Sequence, residues 1–349
     1  MTPQLPKLMK ALRYEKPREW SITEVPLPNL RPGDVLIKVK ACGVCGTDLH
    51  LHEGEYVTSY PLIPGHEVVG EVVAMADDVT SFQIGDRVAA DSSEVCGHCF
   101  YCRRGNVLLC ENFKSHGVMD FDGGFAEYCS YTHEKLFKIN NISYVDATLI
   151  EPTSCALHCI ERIAPKPGSH ALLIGAGPTG LVLAQLLRHS GVAQLTIAAP
   201  EGLKMNLAKS LDVADIYVGL SRQDATPQWE MIKKSNPYGF DIVVEASGSL
   251  EALQDSIQYV RRGGKFVCYG VYPPESRVSW PPSRLFLDEV TILGSFCEAY
   301  TFPSTIDYFN AGRIKTKGIV NKTFKLEQWA DVLESVRNKS AIKAAVVFD

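Results

Sequence analysis

No apolar run in the 349 residues approaches the roughly 20 needed to span a bilayer. The opening stretch, Met1 to Lys10, lacks an apolar signal region and a small-residue cleavage site. The closing Ala-Ala-Val-Val-Phe-Asp349 is not a peroxisomal or endoplasmic-reticulum address, so a cytoplasmic protein is expected. Charge of one sign is also scarce: 35 Lys and Arg against 40 Asp and Glu give a net charge of -5. That leaves no electrostatic footprint for nucleic acid or an anionic membrane. Internal repeats and low-complexity segments are missing as well.

Cysteine is what the chain does have, at 11 residues. In a long chain without secretion signals, ligand-like spacing reads as metal binding rather than as a disulfide framework. Cys96-x2-Cys99-x2-Cys102-x7-Cys110 supplies four soft thiolates, enough to fill a tetrahedral zinc shell and leave no open position. Such a site is structural. His98, inside the quartet, is expected to face solvent. Cys42, Cys129, Cys155, Cys159, Cys268 and Cys297 have no such spacing and read as packed thiols.

A second ligand set comes earlier. Cys45-Gly-Thr47-Asp48-Leu-His50 and Gly65-His66-Glu67 offer one thiolate, one imidazole and a carboxylate. Glu151, in Leu149-Ile-Glu-Pro152, is a fourth candidate. A catalytic zinc keeps one position free for water or substrate, and a mixed, incomplete set suits it. Asp48 is placed to orient the ring of His66.

From about Ala11 to Glu134 short apolar alternations separated by Gly, Pro and Asp turns predict a small antiparallel, barrel-like domain. After Thr153 the pattern changes. The run Ala171-Leu-Leu-Ile174 reads as a buried strand, followed at once by Gly175-Ala-Gly177-Pro178-Thr179-Gly180 and a helix over Leu181–His189. Further strands are expected at 195–199, 240–244, 265–269 and 291–293, with helices between them, hence a parallel sheet covered on both faces. From about Ser295 the chain is expected to return to the first domain, with a helix near Gln328–Arg337 and a strand at Ala344–Phe348. The boundaries are 1–153, 154–294 and 295–349, the middle segment being an insertion.

The glycine loop has the strand–turn–helix setting of a dinucleotide site. Gly175 allows the turn, Gly177 lets a pyrophosphate reach the backbone, and Gly180 lets helix and strand pack closely. Pro178 and Thr179 open the helix whose free N–H groups face the phosphates. The acid that binds a ribose 2′-OH belongs near 198–200, where the chain reads Ala-Ala199-Pro. With Lys204 one turn further and only Glu201 arguing the other way, NADP or dual use is expected over strict NAD. Ser247 completes the expected cofactor-binding set.

Taken in order, Gly43–His50, Pro64–Glu67, the quartet, Asp122-Gly-Gly-Phe-Ala-Glu-Tyr128, Glu151-Pro152 and Gly175–Gly180 resemble the zinc-dependent medium-chain dehydrogenases over nearly the whole length. The resemblance implies a GroES-like catalytic domain carrying an inserted Rossmann domain, with a cleft between them. It implies two zinc ions per chain, one catalytic and one structural, and NADP or NAD as cofactor. Glu151-Pro152 is similar to the polyol branch, the sorbitol, xylitol and arabinitol dehydrogenases. There Cys45, His66 and Glu67 would bind the catalytic zinc, with Glu151 near or in the shell. Glu53-Gly-Glu-Tyr56 looks most like fungal arabinitol dehydrogenases. Cys297-Glu298 stands where sorbitol dehydrogenases carry Arg-Tyr, which speaks against sorbitol as preferred substrate.

In such enzymes zinc activates an alcohol whose hydride passes to the nicotinamide. Thr47 is then placed to take the alcohol proton. His50 matches the end of the proton relay, or is a surface-loop histidine. A sugar alcohol is the expected substrate. A secondary alcohol or L-threonine comes second, and a non-catalytic cofactor-binding role is remote, since no expected ligand is missing. Relatives of this kind imply a homotetramer or homodimer, formed by sheet extension near Val290–Phe296.

Overall fold

The computed structural model describes residues 5–55 and 58–349, so Tyr56 lies outside the described residues. The chain begins with a hairpin, β1 (Leu8–Lys16) and β2 (Glu19–Pro26), then β3 (Asp34–Val44) and helix α1 (Gly46–Glu53). Strands β4 (Glu67–Met75) and β5 (Arg87–Ala90) follow. After them come the short β6 (Ser93–Glu94), β7 (Lys114–His116) and β8 (Asp120–Phe121) around the cysteine quartet, then β9 (Tyr128–Thr132) and β10 (Leu136–Lys138). The small helix α2 (Tyr144–Ala147) leads into α3 (Ile150–Ile163).

The parallel region follows: β11 (His170–Ile174), α4 (Pro178–His189), β12 (Gln194–Pro200), α5 (Leu203–Leu211), β13 (Ile216–Leu220) and α6 (Thr226–Ser235). It continues with β14 (Phe240–Glu245), α7 (Leu250–Ser256), β15 (Val260–Cys268), α8 (Pro282–Leu287) and β16 (Thr291–Gly294). Helix α9 (Phe302–Asn310), β17 (Val320–Phe324), α10 (Trp329–Arg337) and β18 (Lys343–Val347) close the chain. No helix among the described residues is long and apolar enough to cross a membrane.

Two compact units result. The first comprises the chain up to Ser154 with Glu298–Gly312 and Val320–Asp349; the second is Cys155–Cys297 with Arg313–Ile319. The segment 313–319, expected with the first unit, belongs to the second. The Lys315 backbone N–H donates to Gln185 Oε1 at 2.7 Å on α4, and the Lys315 ammonium reaches the Leu211 carbonyl at 2.6 Å at the end of α5.

In the first unit the order is β10-β5-β4-β3-β18-β17, with β9 also on β3. The pairs are antiparallel except β17 with β18, which run parallel. β3 is flanked by β4, β9 and β18, and its residues are nearly all buried, as expected of a strand with neighbours on every side. The core beneath it holds Tyr14, Phe125, Tyr131 and Trp329, none more than 1 % exposed.

In the second unit all six strands are parallel in the order β13-β12-β11-β14-β15-β16, the 3-2-1-4-5-6 winding of a doubly wound dinucleotide fold. β11 lies at the centre, which explains its unbroken apolar run. The sequence pattern missed β13 because it is not an apolar run: only Val218 of its five residues is buried. β15 also begins earlier than expected, at Val260, since α7 ends at Ser256 and a single tight turn separates them.

Candidate active site and metal centres

The quartet is assembled by local turns. Cys96, Cys99, Cys102 and Cys110 bring their sulfurs within 4.8 Å of one another. Gly97 and Gly105 hold positive φ of 72° and 78° where the loop reverses. Backbone N–H groups already point at the sulfurs: Cys96 and Asn112 donate to Cys110 Sγ at 3.3 Å each, and Cys102 donates to Cys99 Sγ at 3.5 Å. A backbone N–H from His98 is the main cause that brings the Cys96 thiol down to about 6, whereas burial, then the neighbouring thiols, push Cys102 up to about 12. Four thiols this close cannot all ionise alone. A divalent cation removes that conflict, so the residues fit a structural zinc. His98 is exposed, and its Nδ1 meets the Cys96 carbonyl at 2.6 Å instead of joining the set.

The second group is drawn from two separate segments of the first unit, the start of α1 and the start of β4. Cys45 is the N-cap of α1, His66 precedes β4 and Glu67 begins it. One ligand atom from each lies within 4.8 Å of the others. Glu67 is 1 % exposed and His66 6 %. His66 Nδ1, Glu67 Oε2 and Asp48 Oδ1 are buried without a hydrogen-bond partner, a state that costs about 1–3 kcal/mol per group. Burial alone would lower the pKa of His66. The Cys45 sulfur and the charges of Asp48 and Glu151 outweigh it and raise it well above normal. A cation held by the Cys45 sulfur, the imidazole and the Glu67 carboxylate would satisfy the orphaned Glu67 oxygen and take the place of the proton that His66 favours, so the residues fit a catalytic zinc with a position to spare.

Asp48 was expected to orient His66. Its Oδ1 stands 3.8 Å from His66 Nδ1, too far for a hydrogen bond, and its Oδ2 accepts from the Cys45 N–H at 2.8 Å. Asp48 therefore caps the helix that carries Cys45. Thr47 Oγ1 lies 3.6 Å from Cys45 Sγ. His50 is partly exposed and pairs through Nδ1 with Glu55 at 2.6 Å. Glu151 is buried, and its charge helps raise the pKa of His66, but its oxygen clusters with that of Glu298 rather than with the Cys45 set.

Three contributors carry no sequence signal. Lys343 of β18 is buried and donates to Glu67 Oε1 at 2.5 Å, joining residues 276 positions apart. The attraction to Glu67 keeps this lysine charged against the pull of burial. Gly43 leaves room for the carboxylate, since a Cβ there would stand 1.9 Å from Glu67 Oε2. Behind α1 runs a buried chain, Trp329 Nε1 to Tyr14 OH at 2.8 Å and Tyr14 OH to His52 Nδ1 at 2.8 Å. The indole can only donate, so the tyrosine passes its own proton to His52 and holds Nδ1 as an acceptor.

In the second unit, Gly177 caps α4 with Pro178 and Thr179 in the first turn. A Cβ on Gly177 would meet nothing within 4 Å, whereas one on Gly180 would strike the Gly175 carbonyl at 2.3 Å. An open backbone before a helix N-terminus, with close packing beneath it, fits a pyrophosphate. β12 ends on Ala199-Pro200, without an acid. Glu201 is folded over Gly219 and paired with Lys209 at 3.2 Å. Ser247 lies beyond β14, and a Cβ on Gly175 would stand 3.0 Å from its backbone nitrogen. Lys204 is in the first turn of α5.

Residues 31–141 match the alcohol dehydrogenase GroES-like domain, and residues 178–311 match the zinc-binding dehydrogenase domain. The chain is 48% identical over 345 residues to D-arabinitol dehydrogenase 1 of Uromyces fabae, covering 99% of each. The chain is a zinc-binding dehydrogenase. This dehydrogenase is also 34% identical to sorbitol dehydrogenase of Bacillus subtilis, over 96% of its own length and 95% of the relative. A solved zinc-binding dehydrogenase from Sinorhizobium meliloti 1021, bound to NADP, superposes with a TM-score of 0.91 at 30% identity. The match covers 98% of this chain and 100% of that one. The expected medium-chain fold, a GroES-like unit with a doubly wound parallel unit, is thereby established, as is oxidoreductase chemistry.

Proposed function

We propose that this dehydrogenase interconverts a sugar alcohol and its ketose, with a pentitol of the arabinitol type as preferred substrate and NADP or NAD as hydride carrier. The observation that carries the reading is the Cys45–His66–Glu67 group, a half-buried thiol with a buried imidazole and carboxylate, which bring one ligand atom each within 4.8 Å of the others. The 48% identity to a D-arabinitol dehydrogenase over the full length supports the substrate class. When bound there, zinc supplies Lewis acidity that makes an alcohol oxygen easier to deprotonate.

The chain's own groups do the rest. Cys45 and His66 bind the ion, and Glu67, neutralised by Lys343, stands as a third ligand in reserve. Glu151 adds negative charge to the same pocket of the first unit. Thr47, close to the Cys45 sulfur, would accept the hydrogen bond of the substrate hydroxyl and release its own proton as it takes the substrate's, and His50, bonded to Glu55, would pass a proton on to solvent. In the second unit the loop Gly175–Gly180, Ser247, Ala199 and Lys204 bind the dinucleotide. Ala199 in place of an acid, with Glu201 turned onto Lys209 and Lys204 in the first turn of α5, favours a 2′-phosphate. The NADP bound to the Sinorhizobium relative agrees with this preference.

β16 is an edge strand, and its Ile292 is exposed, as are Phe286 and Leu287 of the preceding α8. A second copy adding its own β16 would make a homodimer, and two such dimers a homotetramer. The cytoplasm is the proposed location.

The test is a panel of D-arabinitol, xylitol, sorbitol, L-threonine and a simple secondary alcohol, each with NADP and NAD. Highest kcat/KM for a pentitol with NADP is expected. Highest kcat/KM for threonine or the simple alcohol would overturn the polyol reading, and tenfold tighter NAD binding would overturn the cofactor reading.

A further inference from the structure

Glu245 ends β14 and is fully buried, yet it forms no ion pair with any described residue. Four groups satisfy its carboxylate. Oε1 accepts from the Ser247 N–H at 2.7 Å and from the Ser247 hydroxyl. Oε2 accepts from the Gly248 N–H at 3.3 Å and from the Tyr272 hydroxyl. Two of these are backbone N–H groups, which only donate, and the hydroxyls complete a shell suited to an anion. The Glu245 main chain is tied as well, its carbonyl accepting from Tyr269 at 2.9 Å and Gly270 at 3.0 Å. One side chain thus joins the loop after β14 to the loop after β15.

Both loops lie at the carboxyl ends of the parallel strands, where ligands of doubly wound sheets bind. A Cβ on Gly175 would stand 3.0 Å from the Ala246 carbonyl, so the phosphate loop packs directly on the Glu245 turn. A Cβ on Gly270 would stand 2.8 Å from Glu245 Oε2, so glycine is required there for the second loop to approach. The adenosine half of a dinucleotide is read at the end of β12, on one side of β11. β14 and β15 lie on the other side, under the nicotinamide half. Oxidised nicotinamide carries a positive charge that is lost when it accepts hydride.

We infer that Glu245 is a buried counter-charge that favours the oxidised cofactor over the reduced one, while its hydrogen bonds hold the two loops that receive the nicotinamide half. It is a positioning and electrostatic group and does not touch reacting atoms. The inference rests on the proposed use of a nicotinamide dinucleotide.

The experiment measures dissociation constants of the zinc-loaded full chain for NADP+ and NADPH (and for NAD+ and NADH) by calorimetry at fixed pH and salt. Glu245→Gln keeps the shape and removes the charge. Its dissociation constant for the oxidised form should rise about tenfold more than that for the reduced form, as one partly screened charge in a protein interior would produce. Tyr272→Phe keeps the charge and removes one donor. It should leave the oxidised-to-reduced ratio unchanged or tilted about twofold further toward the oxidised form. Equal weakening of both forms in Glu245→Gln would reduce the residue to a loop clasp and overturn the inference. If Glu245→Gln does not fold, a Tyr272→Phe ratio shifted toward the reduced form overturns it equally. Failure of the wild type to bind either form refutes cofactor use itself, a separate outcome.

Discussion

The two metal-binding regions of the first unit are built in opposite ways. The quartet takes all its ligands from residues 96–110, with main-chain N–H groups of the same loop supporting the sulfurs. The Cys45 set takes its ligands from α1 and the start of β4, with Lys343 arriving from β18. The first region holds only sulfur and is closed. The second mixes sulfur, nitrogen and oxygen and leaves buried atoms unsatisfied. A site made by one loop organises that loop. A site that depends on the meeting of several strands inherits the rigidity of the sheet, which a reacting centre needs.

Breaking each region separately should give opposite phenotypes. The largest effect is expected for Cys45→Ser: turnover falls by at least about 10³, and bound zinc drops from two ions to one, while the circular dichroism spectrum is unchanged. A variant that keeps most of its activity would end the zinc-centred account. Cys102→Ser should reverse the balance, lowering the melting temperature by roughly 10 °C with a smaller loss of turnover at 20 °C. If the two substitutions had the same profile, the distinction between the regions would be void.

Lys343→Met sharpens the comparison from within the second region. It strands the buried Glu67 carboxylate, a change that costs about 3–5 kcal/mol. Zinc should offset part of that cost, so urea midpoints of stripped and loaded protein should differ more for the variant than for the wild type. An equal difference would show that Glu67 does not sense the ion.

The smallest effect concerns His52. Burial, then the neighbouring Arg337 and Arg18, lower its pKa, although Glu53 pulls the other way. The unfolded chain therefore takes up the proton first as pH falls, and the native state loses stability below about pH 6.5. His52→Gln should flatten that acid limb by about 1 kcal/mol or less. An unchanged pH profile of the unfolding midpoint would remove His52 from the account.

What could be read in the sequence follows the same division. The quartet and the glycine loop are contiguous, and their spacing nearly is their geometry. Cys45, His66 and Glu67 were also legible, because each is flanked by a distinctive short segment. Lys343 was not, since a lysine in a closing strand carries no sign that it will be buried against a carboxylate 276 positions earlier. Gly43 was equally silent: its meaning depends on which strand pairs with β3. Asp48 does face His66 as expected, Oδ1 to Nδ1 at 3.8 Å, but its second task, capping α1 through Oδ2, carried no sequence signal. In the second unit, β13 was overlooked because a half-exposed strand near a sheet edge lacks the apolar density of β11.

The place of β18 has a consequence for synthesis on the ribosome. Until residues 343–347 emerge, β3 keeps an open flank and Glu67 has no lysine opposite it. The parallel unit, nearly all of it translated earlier, can mature while the first unit waits. A nascent chain halted before that last strand would thus expose an unpaired edge and hold an immature ion pocket, which makes translation of these few residues the step that arms the enzyme.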